Sequence, residues 1–182
     1  EGLTVVSMGR VAKEAGVSKA LVYTYFSNPI DLLQSVIKRD MLRIQREQEH
    51  AATSATTYPE LVRNTTHVAL KEAKGWGPLL QRLMSDPQLA KAVDPVRARE
   101  HVNVSYLSKR TTEEFDLPRE QSKRIVQIAL GLTMAAAEHL QNSDSDTQEV
   151  EDLTVAMIKA AVKAGAAHEA AKSAKGKKTR PK

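Results

Sequence analysis

The sequence predicts an all-α protein in which a small N-terminal helix-turn-helix domain is joined to a larger helical domain. Three observations predict the helical class. No run of five or more residues alternates β-branched side chains in the manner of a strand; Ala, Leu, Gln, Glu, Lys and Arg fill the long segments; and prolines punctuate the chain where helices would start. Asn28-Pro29, Asp86-Pro87 and Asp94-Pro95 each put a side-chain acceptor before a proline, which suits an N-cap followed by the first helical position. Pro59 and Pro118 are expected to open two further helices, and the polar stretch 142–147 to separate the last two, giving roughly nine in all.

The first two helices fall within 7–26. Ser7 is placed to cap the first, whose apolar face is Met8, Val11, Ala12 and Ala15; Gly16 can enter a left-handed turn without a Cβ penalty. Ser18 caps the second, from Lys19 to Tyr25, with Val22 and Phe26 turned inward and Val17 filling the corner. A small residue at the crossing, glycine in the turn and a branched residue inside the second helix are what a helix-turn-helix needs, and here they are spaced four and six apart. The second helix then offers Lys19 and Thr24 as exposed polar positions and Ser18, Tyr23 and Tyr25 as hydroxyls suited to phosphate, with Arg10 on the outer face of the first helix.

Charge alone does not carry that reading. The net charge is +5, but six basic residues against one acid lie in 169–182, leaving 21 of each sign in the first 168. The basic stretch 169–182, rich in Lys, Ala, Ser and Gly, is expected to be a solvated, frayed tail. No cysteine occurs, which excludes disulfides, thiolate metal sites and a cysteine nucleophile. No apolar run is long enough to span a bilayer, so a cytoplasmic protein without membrane contact is expected.

Residues 7–33 resemble the DNA-binding signature of the TetR family of bacterial transcriptional regulators. The matching residues are Ser7, Val11-Ala12, Ala15-Gly16-Val17-Ser18, Tyr23-Thr24-Tyr25-Phe26 and Leu32-Leu33. Three departures stand out. Pro29 replaces a frequent lysine; Ala20 and Leu21 replace a small residue and a threonine, so that Leu21 can face a thymine methyl; and the family's first helix is not in the sequence, which is read as starting after it. The resemblance implies a ligand-responsive regulator, a repressor released from a double-stranded DNA operator by a small molecule. It divides the chain into a DNA-binding domain over 1–33, a ligand-binding and dimerisation domain over 34–168, and the tail. Arg10, Ser18, Lys19, Ala20, Leu21, Tyr23, Thr24 and Tyr25 are then the candidate DNA contacts.

Two long segments bear on assembly. Apolar residues in 120–141 and 150–167 spread over more than one helix face, and helices apolar over most of their circumference need cover on both sides. A second subunit supplies it, so a homodimer is expected, with Ile128, Gly131, Leu132, Ala135, Met157, Ala160 and Ala161 at its interface. For the ligand, His67, Trp76, Met84, Asn103 and Tyr106 are the candidate lining residues. Only four aromatics fall outside the N-terminal motif, which favours an aliphatic or mixed effector over a planar one.

An enzyme is not expected. The five histidines are scattered without metal-ligand spacing, no nucleophile elbow or phosphate loop occurs, and neither metal nor cofactor is called for. The competing expectation is a helical protein-interaction module that does not bind DNA.

Overall fold

A computed structural model describes residues 6–85, 87 and 94–178 of the chain, with backbone alone at 76–84, 94–103 and 173–178. The described residues form α1 (Met8–Glu14), α2 (Lys19–Tyr25), α3 (Pro29–Thr53), α4 (Tyr58–Met84), α5 (Asp94–Phe115), α6 (Arg119–Asn142) and α7 (Thr147–Lys178), and no strand. Seven helices are thus described where about nine were expected. The start expected at Asp86-Pro87 falls where Pro87 is helical and Asp86 lies outside the described residues.

Local chemistry accounts for the boundaries. Gly16 takes φ +68°; its N–H donates to the Lys13 carbonyl and the Val17 N–H to the Ala12 carbonyl, the paired bonds that end α1 in a Schellman motif. At the next start, Ser18 Oγ accepts from the Leu21 N–H at 3.1 Å. Asn28 caps α3 through the Asp31 N–H at 2.9 Å, Asp31 reaches back to the Ser27 N–H, and Pro29 occupies the first turn. Ser7 makes no side-chain cap bond.

Three expected starts shift by a residue. α4 begins at Tyr58 rather than Pro59 because Thr57 and Glu60 form a capping box: Thr57 Oγ1 accepts from the Glu60 N–H, and Glu60 Oε2 accepts from the Thr57 N–H. Glu60 also accepts from the Thr56 N–H and hydroxyl, and these bonds hold its carboxyl below the usual glutamate range. Pro118 stands before the first turn of α6, which starts at Arg119, and Asp94 is itself the first residue of α5.

Two apolar clusters follow. Met8, Ala12, Val22 and Leu32, with Val11, Phe26 and Val36 against them, bind α1 and α2 to the first two turns of α3. The body is assembled around Leu61, Val62, Ile125, Ala129, Val155, Ile158 and Val162, where α4, α5, α6 and α7 meet. Burying one such side chain stabilises the fold by about 1.5–3 kcal/mol. Tyr58 packs edge-on against Phe115 at 5.4 Å and shares a 3.0 Å hydrogen bond with Thr111; burial pushes its phenol up, and that bond opposes the rise.

α3 runs unbroken from the head cluster into the body, across the boundary expected at residue 33. There Arg43 makes a bidentate pair with Glu72 of α4, at 3.0 and 2.8 Å, and a third bond to Glu47. α7 likewise continues past residue 168 to Lys178, with Glu169 buried and paired to Arg124 at 3.3 Å, so the helix does not end where the basic tail was expected to begin.

Candidate nucleic-acid interface

The short α2 is held at both ends, by the glycine turn and serine cap before it and by Phe26 after it, where the Phe26 N–H donates to the Val22 carbonyl. Of its seven residues only Val22 is buried. Lys19, Ala20, Leu21, Tyr23, Thr24 and Tyr25 all face solvent, with Tyr23 48% and Tyr25 72% exposed. A seven-residue rod anchored by one branched side chain therefore presents two phenols, a lysine and a leucine outward, although burying those apolar groups would be favourable.

Individual hydrogen bonds refine what each group can do. The Lys19 ammonium lies 5.7 Å from the Tyr23 ring centroid, within cation–π range, which keeps the two side by side. Ser18 accepts its cap bond and still has a hydroxyl proton to donate. Thr24 Oγ1 donates to the Ala20 carbonyl at 3.1 Å, leaving its lone pairs as the free function. Arg10 is exposed on α1, as is Lys13 one turn on, a cation that the helix-turn-helix pattern did not single out. At the start of α3, where Pro29 stands, the Asp31 carboxylate already occupies the first turn, so a phosphate there would meet a negative charge. Val17, expected to fill the corner, is 39% exposed.

Among the described residues of the body lie two small cavities. One, of about 50 Å³, lies among α4, α5, α6 and α7 and is lined by Leu61, Val62, Leu107, Ala129, Ile158 and Val162, with others. The second, of about 90 Å³, lies among α3, α4 and α5 and includes Gln45, Gln48, Glu49, Thr65, Tyr106 and Leu107. Tyr106 is the one expected lining residue found at either. His67 faces outward instead, because the buried Glu151 of α7 draws it: Nδ1 stands 2.8 Å from Glu151 Oε2, and Arg63 bridges to Asp152 beside it. Trp76, Met84 and Asn103 lie outside the residues whose side chains are described. Thr65 and Leu107, which line both cavities, carry no sequence signal that separates them from ordinary core positions.

The face expected to pair subunits divides by exposure. Ile128, Gly131, Ala135, Met157, Ala160 and Ala161 are open to solvent, whereas Leu132 is partly buried against the body's own core. Met134 and Leu153 join the open set. Among the described residues no group of His, Asp or Glu is arranged to hold a metal, and no helix is long and apolar enough to cross a membrane.

Residues 1–36 match the family model of the bacterial regulatory proteins of the tetR family. The amino-terminal helix-turn-helix is thus similar to that of the TetR family. A solved structure described as a transcriptional regulator (TerR/AcrR family) from Aquifex aeolicus VF5 superposes with a TM-score of 0.64 at 17% identity, covering 87% of this chain and 89% of that one. The likeness therefore extends beyond the TetR head to the fold of the helical body. No curated protein matches significantly.

Proposed function

We propose that the protein is a DNA-binding transcriptional regulator that works as a homodimer and is released from its operator when a small molecule enters the helical body. The observation that carries the reading is the exposure of α2: a capped rod with Val22 alone turned inward and Lys19, Tyr23 and Tyr25 outward, in a TetR-type head. Lys19 and the hydroxyls of Ser18, Tyr23 and Tyr25 take phosphate oxygens and set the register. Ala20, Leu21 and Thr24 meet base edges, Leu21 by apolar contact with a thymine methyl. Arg10 adds a backbone contact from α1.

Dimerisation supplies the second head that a two-fold operator requires. Its support is the open apolar face on α6 and α7, where Gly131, Ala135, Ala160 and Ala161 allow close approach and Ile128 and Met157 fill the seam. Release follows if an occupant of the body displaces α3, which leads directly to the head.

A mobility shift with genomic fragments tests the DNA reading. Parent protein binds, with affinity falling by orders of magnitude between roughly 50 and 200 mM salt. Tyr23→Ala and Lys19→Ala bind more weakly, and Lys19→Ala lowers the salt slope by about one. Equal binding by parent and variants, or a flat salt response, refutes the assignment and leaves a helical interaction module.

A further inference from the structure

The two body cavities share a wall. Thr65 and Leu107 line both, while the rest of the two linings differs, apolar on one side and polar on the other. Leu107 is only partly buried, so one leucine side chain with more than one staggered rotamer forms part of the wall between the cavities. The inner end is a hydrocarbon surface of Leu61, Val62, Ala129, Ile158 and Val162. The outer end is polar and holds one carboxylate, Glu49.

Several donor hydrogens around the outer cavity are already bonded to the protein. Gln48 Nε2 donates to the Thr65 carbonyl at 3.3 Å, the Thr53 hydroxyl to the Glu49 carbonyl at 2.8 Å, the Tyr106 hydroxyl to the Ala52 carbonyl at 3.4 Å, and the Thr65 hydroxyl to the Leu61 carbonyl at 2.8 Å. Two acceptors in the same lining stay open, whereas the Tyr106 oxygen accepts from Arg110 Nη1 at 3.2 Å. Gln45 Oε1 is buried without a hydrogen-bond partner, an arrangement that costs stability until a donor arrives. The Glu49 carboxylate, exposed at the mouth, has no ion-pair partner among the described residues and is the only formal charge in the lining. A complementary occupant brings hydrogen-bond donors and a positive charge at one end and an alkyl chain at the other.

We infer that the effector of the proposed regulator is a short linear alkylamine: its ammonium group sits between Gln45 and Glu49, and its chain passes Thr65 and Leu107 into the apolar cavity. The inference rests on the ligand-responsive reading above and gives it a chemical class. The combined space suits roughly six to eight heavy atoms, on the scale at which an apolar cavity of about 150 Å³ takes one benzene. Gln45 and Glu49 stand on the last three turns of α3, the helix that begins at the head, so the ammonium bears directly on the element that carries α2.

Isothermal titration of the full chain with n-hexylamine, 1-hexanol and hexanoate tests the assignment. Hexylamine binds tightest, hexanoate at least about tenfold more weakly, and ethylamine poorly for want of a chain. Glu49→Gln, at an exposed position that leaves folding intact, narrows the gap between hexylamine and hexanol; Gln45→Leu weakens the amine in a second, independent way. Hexanoate binding as tightly as hexylamine, no heat from hexylamine, or an unchanged preference in Glu49→Gln overturns it. A parallel mobility shift without ligand separates the two claims. DNA binding without amine binding removes the effector class alone, whereas amine binding by a protein that ignores DNA removes the regulator reading and keeps the cavity.

Discussion

Gly131→Trp on α6 separates what one chain needs from what two chains need. A Cβ built at Gly131 meets nothing within 4 Å, so within a single subunit the position is open, and glycine there costs the helix about 1 kcal/mol relative to alanine. In an isolated chain Gly131→Ala should therefore stabilise slightly, and tryptophan should be close to neutral. Across a two-fold interface the sign reverses. Ile128 is 69% and Leu153 61% exposed on the same open face, and packing them against a partner requires helices to close over Gly131. An indole there forces them apart, with an overpacking cost of about 1–3 kcal/mol per subunit. Symmetry applies it twice, so the dimer dissociation constant should rise by roughly 30-fold to 10⁴-fold. Sedimentation velocity over a concentration series reads that shift, and thermal unfolding of Gly131→Trp at monomeric concentration reads the intrachain effect. A parent that stays monomeric, or a tryptophan variant that dimerises as the parent does, refutes the reasoning.

Other outcomes follow from the same geometry. Gly16→Ala should destabilise the head by about 1–2 kcal/mol although its Cβ has free space, because the cost lies in φ +68° alone; Gly16→Asn should cost less, and amide exchange in α1 and α2 measures both. Arg43→Lys keeps the charge but loses the two-pronged bond to Glu72, and should lower stability by about 1 kcal/mol in urea titrations, less at high salt. The Glu60 carboxyl is held below its ordinary value of 4.5 by Thr56 and Thr57, so its contribution is present above pH 4.5 and lost as pH falls through the lowered folded value. Unfolding midpoints against pH should therefore fall less steeply in that range for Glu60→Gln, and identical acid limbs for the two proteins would contradict the capping box.

Local rules were legible in the sequence because they act over three or four residues. The caps at Ser18 and Asn28, the glycine turn at Gly16 and the burial of Val22 all depend on neighbours close in the chain. The box at Thr57 and Glu60 was equally local, and the serine or threonine followed three residues later by glutamate was its signal. Proline alone pointed one residue too far.

What the sequence by itself determined is the helical class, the head and the outward face of α2, since periodicity and cap chemistry suffice for each. Only the tertiary structure decided that His67 turns outward to the buried Glu151, that Leu132 is taken up by its own core while Gly131 is left open, and that Thr65 and Leu107 divide two cavities. Those choices rest on contacts between residues far apart in the chain, 84 positions for His67 and Glu151, and the periodicity of one helix specifies a face without naming the helix that covers it.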